Sequence, residues 1–93
     1  MRFSFHPEAQ EEFNKAVARS KELTVRPSNE ELLKLYGLYK QATEGDITGD
    51  RPGGFDFKGA AKYDAWQELK GKAAPDAMKE YIDLIDMLHA KEA

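Results

Sequence analysis

Residues 32–43 read LLKLYGLYKQAT, and the rest of the chain is organised around this stretch. On a helix, residues three and four positions apart share a face, so Tyr36, Tyr39 and Lys40 project together. Three leucines continue the apolar side of the stretch: Leu32, Leu33 and Leu35. An aromatic ring stacks on a base, and an ammonium group pairs with phosphate as a compact point charge. This face is therefore the predicted site for a ligand that is both flat and anionic.

The length of 93 residues predicts a single domain, residues 1–93, with a thin core. A hydrophobic share of 41% and a charged share of 33% are typical of a globular protein. The net charge of −3 argues against general nucleic-acid binding, which uses a basic surface, but it allows one phosphorylated ligand. The sequence thus favours a small-molecule site over a nucleic-acid interface.

The chain has no cysteine, which excludes disulfides and thiol chemistry and suits a reducing compartment. No apolar run approaches the roughly 20 residues that a membrane-spanning helix needs. The N-terminal residues, MRFSFHPEAQ, lack the long apolar region of a secretory signal. We therefore expect a soluble, cytoplasmic protein that does not span a membrane.

Apolar residues recur at helical spacing in four segments of the chain. The first runs from about residue 7 to 21, and the second begins after Ser28, which forms a capping box with Glu31, and continues to about Thr43. The third covers about residues 57–70, with Gly71 as its expected end, and the fourth begins near Pro75. The pattern predicts four helices around one small core.

A glycine inside the second helix and a long loop before the third helix are the two irregular features of this pattern. Gly37 lies inside the second helix at a cost near 1 kcal/mol relative to alanine. Close packing or ligand access would explain it, and so would tolerance on an exposed face. Residues 45–56, GDITGDRPGGFD, form the longest region without periodicity and carry turn residues. We expect an ordered loop that Ile47 and Phe55 pin to the core.

Several sharper motifs fail on inspection. Residues 46–57 begin like a calcium-binding loop, but Arg51 occupies the position that requires glycine and Phe57 the position that requires glutamate. No Gly-Lys-Ser/Thr sequence follows the glycines, as a phosphate-binding P-loop requires. His6 and His89 lie near opposite ends of the chain and are expected on the surface rather than at a metal. No nucleophile–base pair is recognisable, so the sequence predicts neither an enzyme nor a metal site.

Lysines beside aromatic residues remain as the one recurring pattern: Lys40 follows Tyr39, and Lys62 precedes Tyr63. Lys58 lies one turn before Lys62, and Lys21 closes the first helix. Each lysine alone reads as a solvated surface charge. Tyr36 and Tyr81 are also compatible with core packing in which the hydroxyl reaches a partner, and Trp66 is expected in the core rather than at a site. The residues by themselves fit either a helical ligand-binding module or a helical protein-interaction module that uses the same face of the second helix.

Taken together, five segments closely resemble the acyl-CoA-binding protein family. They are PSNEELL at residues 27–33, YGLYKQATEGD at 36–46, RPG at 51–53, DFKGAAKYDAWQELKG at 56–71 and DAMKEYI at 76–82. The order and spacing of the YxxYKQAT and KxxAKxxAWxxLKG runs are highly specific, and the resemblance extends over residues 13–88. It implies an all-α four-helix bundle of up-down-down-up topology.

The resemblance also implies a function and a site. Members of the family bind, transport and pool medium- to long-chain fatty acyl-CoA esters without catalysis or cofactors, as monomers, with acyl-CoA-using enzymes or membranes as donors and acceptors. A thioesterase-like enzyme is an alternative to a carrier, but it is disfavoured because the sequence offers no recognisable nucleophile. By position, the implied headgroup contacts are Tyr36, Lys40, Lys62 and Tyr81, with Lys21, Tyr39, Lys58 and Tyr63 as further binding positions. Leu32 and Leu33 would line the groove for the acyl chain.

Two positions and the N-terminal leader depart from the family pattern. Tyr63 stands where many members have tryptophan, and Val17 stands where an alanine is common near the ligand. The leader of residues 1–6 is longer than usual and carries two phenylalanines that could cap the core or the groove. These changes bear mainly on the preferred length of the acyl chain.

Overall fold

The computed structural model describes residues 7–92, so the leader of residues 1–6 and His6 lie outside the described part of the chain. The structure contains four α-helices: α1 (Pro7–Ser20), α2 (Asn29–Glu44), α3 (Phe57–Gln67) and α4 (Ala74–Glu92). Residues 7–92 include no β-strand. The prediction of an all-α protein with four helices is confirmed.

Local capping determines where α2 and α3 begin. The Ser28 side chain accepts a hydrogen bond from the Glu31 amide at 3.1 Å, and the Glu31 carboxylate accepts one from the Ser28 amide at 2.8 Å. This is the predicted capping box, which satisfies two amides that have no partner within the helix. At the start of α3 the Asp56 carboxylate accepts from the Gly59 amide at 2.9 Å. Both helix starts are therefore fixed by residues adjacent in the sequence.

Helix α3 ends at Gln67 rather than at the predicted Lys70. The next amides turn back by three residues instead of four, with Leu69 N donating to Trp66 O at 3.0 Å and Lys70 N to Gln67 O at 3.1 Å. This tighter winding is common at helix ends. Gly71 follows with φ of 91°, in the left-handed region that favours glycine, so it ends the turn and not the helix itself.

Contacts between helix ends establish the directions of α1, α2 and α4. Arg19, at the end of α1, pairs with Asp86 at 2.6 Å, and its carbonyl contacts His89 at 2.9 Å. Both partners lie near the end of α4, so α1 and α4 run parallel. Glu31, in the first turn of α2, pairs with Lys91 at the end of α4 at 3.1 Å. Helix α2 therefore runs antiparallel to α4.

Helix α3 runs parallel to α2. The Lys62 ammonium lies 5.3 Å from the ring centre of Tyr36, and the Lys40 ammonium lies 5.1 Å from that of Trp66. The contacts thus advance by four residues along both helices in the same sense. With α1 and α4 pointing the other way, the order is up-down-down-up, as the resemblance implies.

The core lies between α1, α2 and α4. Its buried members are Phe13, Ala16, Leu35, Leu38, Ala42, Ala77, Tyr81, Ile85 and Leu88. On α4 the predicted apolar face is confirmed in part, because Met78 and Ile82 only flank this cluster while Ala77 lies within it. Each fully buried leucine or phenylalanine contributes roughly 1.5–3 kcal/mol relative to exposure. The two central helices, α2 and α4, supply most of these residues.

Gly37 allows α2 and α3 to approach closely. A Cβ atom at this position would lie 2.7 Å from the carbonyl oxygen of Ala65 and 3.3 Å from a methyl group of Leu69. Gly37 is buried, so tolerance on an exposed face does not explain it. Packing does, and this resolves the alternative that the sequence left open.

The loop of residues 45–56 is not pinned to the core by Phe55, and that prediction is wrong. Phe55 is 92% exposed, whereas Ile47 is half-buried. The Asp56 amide donates to the Gly53 carbonyl at 3.3 Å, which closes a turn with Gly54 and Phe55 at its tip. A side chain at the tip of a turn faces solvent, so Phe55 points away from the bundle.

Polar contacts with α3 hold this loop instead. The Trp66 indole donates to the Gly45 carbonyl at 2.8 Å, and the Tyr63 hydroxyl donates to the Gly49 carbonyl at 3.1 Å. Arg51 donates two hydrogen bonds to the Asp64 carboxylate, at 2.8 and 2.9 Å. The loop is therefore ordered, as expected, but through its backbone carbonyls and one ion pair.

His89 is not a plain surface residue, which corrects the expectation for it. It is half-buried, and its Nε2 atom lies 2.9 Å from the Arg19 carbonyl. Among residues 7–92 no group of three or more histidine, aspartate or glutamate side chains could hold a metal ion. None of the described helices combines the length and the apolar character that crossing a membrane requires.

Candidate ligand-binding site

Helix α2 presents one face to the core and another to the site predicted from the sequence. Leu35, Leu38 and Ala42 are buried in the core. Tyr36, Tyr39 and Lys40 lie on other sides of the helix, with 40% of Tyr39 exposed and the other two half-buried. Three- and four-residue spacing brings these side chains to a common surface. The structure therefore places the predicted tyrosines and lysine where a ligand can reach them.

Two lysines lie against aromatic rings where α2 meets α3. Lys62 lies over Tyr36, and Lys40 lies over Trp66, with ammonium-to-ring distances of 5.3 and 5.1 Å. Such cation–π contacts contribute roughly 0.5–1 kcal/mol at exposed sites. They also orient the long lysine side chains, which lowers the entropy lost when the ammonium groups bind an anion. The result is a surface with two positioned cations beside aromatic faces.

Lys40 has a carboxylate partner within its own helix. It forms an ion pair with Glu44, and its side chain is 22% exposed. The hydrogen bond to Glu44 raises the pKa of Lys40 above its usual value, against the opposing effect of burial, and the nearby phenols of Tyr36 and Tyr39 act in the same direction as Glu44. Lys40 is therefore fully charged at neutral pH.

Tyr39 and Tyr81 belong to an aromatic cluster with Phe13, between α1, α2 and α4. The ring centre of Phe13 lies 5.9 Å from the ring centre of Tyr39 and 5.1 Å from that of Tyr81, and the two tyrosine ring centres lie 6.4 Å apart. Tyr81 is only 5% exposed, and burial raises its pKa while the nearby Ser20 hydroxyl opposes the shift. Tyr39 is the accessible member of the cluster, and Tyr81 supports it from the core.

Trp66 and Tyr63 anchor the loop, and Trp66 also contacts Lys40. Trp66 was expected in the core, but it is half-buried. Its indole N–H donates to the Gly45 carbonyl, and the Lys40 ammonium lies over its ring. Tyr63 is half-buried, and its hydroxyl donates to Gly49. Tyr63 therefore faces the loop with its polar end.

The remaining predicted residues are dispersed. Lys21 and Lys58 are exposed, at the end of α1 and in the first turn of α3, and the contacts within residues 7–92 include no ion pair of either side chain. Leu32 and Leu33 are half-buried. Leu33 lines a cavity of about 650 Å³ between α2 and α3, together with Leu69. Of the predicted residues, the structure thus brings Tyr36 and Lys62 into contact and places Lys40 against Trp66, whereas Tyr39 and Tyr81 pack with Phe13 and Tyr63 binds the loop.

Sequence reasoning missed the polar contacts that support the end of α2. Gln41 is 1% exposed, and its amide donates to Asp46 and to the Lys72 carbonyl, both at 2.8 Å. Asp46 also accepts from the Gly71 amide at 2.8 Å, and these two hydrogen bonds lower its pKa. The sequence signal was limited to a glutamine at a core-facing position, three residues after Leu38. These contacts tie the α2 end to the α3–α4 connection next to Lys40.

Comparison with known proteins adds to this geometry. The family model described as "Acyl CoA binding protein" matches residues 10–85. The chain is 56% identical over 79 residues to acyl-CoA-binding protein homolog 1 of Caenorhabditis elegans, covering 85% of this chain and 92% of the relative. It is 49% identical over 83 residues to the acyl-CoA-binding protein of Brassica napus, covering 89% and 90% of the two chains.

Solved structures are similar as well. The crystal structure of Oryza sativa acyl-CoA-binding protein 2 superposes with a TM-score of 0.86 at 44% identity, covering 90% of this chain and 93% of that one. The solution structure of the yeast acyl coenzyme A binding protein gives a TM-score of 0.68 at 51% identity, covering 85% and 92%. Both the sequence and the arrangement of the helices are therefore shared.

Proposed function

This chain belongs to the acyl-CoA-binding protein family, and we propose that it binds, carries and pools medium- to long-chain fatty acyl-CoA esters without catalysis. The observation that carries the proposal is the pair of lysines at the α2–α3 interface. Lys62 over Tyr36 and Lys40 over Trp66 offer two cations beside aromatic faces, which matches the phosphates and the adenine of coenzyme A.

The phosphates are assigned to Lys40 and Lys62, with Lys58 and Lys21 as further cations at the edge of the site. The adenine is assigned to the tyrosines: Tyr36, Tyr39, Tyr63 and Tyr81. Because Tyr81 is 5% exposed, its contribution comes through the support of Tyr39 and through the edge of its own ring. The acyl chain is assigned to the half-buried leucines of α2, Leu32 and Leu33.

The two halves of the ligand contribute differently to affinity. Each buried methylene is worth about 0.8 kcal/mol, so a long acyl chain offers on the order of ten kcal/mol before ordering costs. A charged hydrogen bond adds roughly 1.5–3 kcal/mol, and stacking of a base about 1–3 kcal/mol. The headgroup contacts therefore select coenzyme A and orient it, while the chain separates the ester from free coenzyme A.

In the cell this chemistry fits a monomeric carrier in the cytoplasm that takes its ligand from membranes or acyl-CoA-using enzymes and delivers it to others. Enclosing the acyl chain keeps the ester out of bilayers and away from hydrolysis. No cofactor is needed for this role.

Titration calorimetry with palmitoyl-CoA, free coenzyme A and palmitate, run in parallel, tests the proposal. We expect one-to-one binding of the ester, much weaker binding of coenzyme A and negligible binding of palmitate. Release of free coenzyme A during incubation with the ester would indicate a thioesterase. A parallel titration with inorganic pyrophosphate tests for unspecific anion binding. Equal heats with pyrophosphate and coenzyme A, or no heat with palmitoyl-CoA, coenzyme A or palmitate, would contradict the proposal and favour a protein-interaction module.

A further inference from the structure

Two phenylalanines stand out from the bundle next to the first turn of α3. Phe55 is 92% exposed and Phe57 is 74% exposed. Their ring centres lie 6.5 Å apart with the planes at 75°, an edge-to-face contact between the two rings. Neither ring contributes to the core cluster. We refer to Phe55 and Phe57 as the phenylalanine tip.

The exposure of the tip does not come from a loosely held loop. Trp66 and Tyr63 bind the carbonyls of Gly45 and Gly49, and Arg51 forms a two-point ion pair with Asp64. The turn that carries Phe55 is closed by the amide of Asp56. Asp56 in turn caps α3 through the Gly59 amide. Ordered backbone on both sides thus holds two apolar rings in water, where they contribute nothing to the stability of the bundle.

We propose that the phenylalanine tip, together with Lys58, docks on the surface of a phospholipid bilayer and inserts its two rings among the headgroups. The inference rests on the proposed function, because a carrier of acyl-CoA exchanges its ligand with membranes. Inserted rings gain free energy in proportion to the apolar area removed from water. The ammonium of Lys58, adjacent to Phe57 in the sequence and exposed, meets lipid phosphates at the same depth.

The size of the tip favours a bilayer over a protein partner. A phenylalanine side chain buries about 150–250 Å², so two rings supply at most about 500 Å². A standard specific protein interface buries about 800 Å² on each partner, which exceeds what the two rings supply on their side. Insertion into a bilayer has no such threshold, since each ring adds to partitioning independently. A shallow and reversible contact also suits a carrier that must leave with its ligand.

The charges around the tip specify the kind of bilayer. Arg51 is paired with Asp64, and Asp56 is bound to the Gly59 amide. Lys58 and Asp50 are exposed and carry opposite charges. The Arg51–Asp64 pair cancels, and Asp50 and Asp56 outweigh Lys58, so these residues carry a formal charge of −1 within a chain whose net charge is −3. The geometry points to phosphatidylcholine-rich bilayers and not to strongly anionic ones.

The tip also lies close to the proposed site along α3. Lys58 is one turn before Lys62, and Lys62 lies over the Tyr36 ring. A bilayer that receives the tip therefore comes within two turns of α3 from the residues assigned to the headgroup. Docking would shorten the distance that the acyl chain crosses in water.

Fluorescence of a Phe55→Trp variant tests docking directly. The chain has one tryptophan, Trp66, which is half-buried and bound to the loop, so the wild-type protein serves as the reference. With phosphatidylcholine vesicles that contain brominated chains, we expect quenching of the new tryptophan by at least about a third and no quenching of Trp66. Equal emission with brominated and plain vesicles would overturn the proposal.

Kinetics test whether docking serves ligand transfer. The double variant Phe55→Ala/Phe57→Ala should extract palmitoyl-CoA from phosphatidylcholine vesicles at least about fivefold more slowly than the wild type, with unchanged affinity in vesicle-free titrations. Met87→Ala, which removes a 44% exposed apolar side chain from α4, is the matched control and should extract at the wild-type rate.

Three results would overturn the docking role. The first is extraction by the double variant at the wild-type rate. The second is loss of its affinity for palmitoyl-CoA in solution, which would place the two rings in the ligand site. The third is a lower sedimentation mass of the double variant than of the wild type, which would make the tip a contact between copies of the protein. Failure of the proposed function is separate: the wild type would then not bind palmitoyl-CoA, while quenching of Phe55→Trp would still report on docking.

Discussion

Lys40 and Glu44 lie one turn apart on α2 and form an ion pair beside Trp66, whose ring centre is 5.1 Å from the Lys40 ammonium. The cation that we assign to a ligand phosphate therefore already has an anionic partner. Binding must exchange the carboxylate for phosphate or bring the two anions together. Glu44 thus opposes the ligand while it orients the lysine that receives it.

Replacing Glu44 with glutamine should strengthen the binding of palmitoyl-CoA by about two- to threefold. An exposed pair of this spacing contributes roughly 0.3–0.5 kcal/mol, and its loss frees Lys40 for phosphate while it removes a like charge. The change is measured by calorimetry at low salt. Asp83→Asn, which removes the carboxylate of the Lys79–Asp83 pair on α4, is the matched control and should leave the affinity unchanged. Weaker binding by Glu44→Gln would mean that orientation of Lys40 outweighs competition.

Removing the cation itself should have the opposite effect. Lys40→Ala is expected to weaken binding of palmitoyl-CoA by about ten- to a hundredfold, the equivalent of one charged hydrogen bond of roughly 1.5–3 kcal/mol. Tyr36→Phe should keep the ring and weaken binding less. Both variants should unfold within a few degrees of the wild type, because neither side chain belongs to the core cluster. Lys79→Ala controls for the loss of an exposed lysine, and a collapse of thermal stability in Lys40→Ala would return Lys40 to a structural role.

Asp46 should make the stability of the bundle depend on acid. Hydrogen bonds from the Gly71 amide and Gln41 lower its pKa below the usual value of 3.8. A carboxyl whose folded pKa is lowered contributes stability above its unfolded pKa and loses it as the pH falls through the folded one. Asp46→Asn should therefore be less stable than the wild type in urea at pH 7, and the difference should shrink as the pH falls below about 3.8.

The control for this titration is Asp50→Asn, which removes an exposed carboxylate from the same loop. It should unfold at the same urea concentration as the wild type at neutral pH. A gap between Asp46→Asn and the wild type that stays constant from pH 7 to pH 3 would show that the side-chain shape, and not its charge, matters.

Features that depend on neighbours in the sequence were predictable, and features that depend on distant partners were not. The capping box of Ser28 and Glu31 is local, so spacing alone predicted it. Gly37 stayed open because its reason is the Ala65 carbonyl on another helix. The prediction that Phe55 pins the loop to the core was wrong. Apolar character predicts burial on average, whereas the turn that closes on Gly53 directs this side chain outward.

The same distinction applies to the candidate site. The resemblance implied Tyr36, Lys40, Lys62 and Tyr81 as one group. The structure places the first three at the α2–α3 interface and buries Tyr81 against Phe13. The Glu44 carboxylate and the buried Gln41 amide were absent from the prediction. Their roles follow from particular partners, the Lys40 ammonium and the Lys72 carbonyl, and no pattern of residue types indicates such pairings.

Gly37→Ala should destabilise the protein although alanine is the better helix former by roughly 1 kcal/mol. The added Cβ would lie 2.7 Å from the backbone oxygen of Ala65, so α2 and α3 must separate, at a cost of about 1–3 kcal/mol. Urea unfolding measures this cost. Because the separation also moves Tyr36 from Lys62, palmitoyl-CoA affinity should fall as well. Gly53→Ala, where a Cβ atom meets nothing within 4 Å, is the control. A Gly37→Ala protein as stable as the wild type would show that the interface can open without loss, and that close approach of the two helices is not what requires glycine.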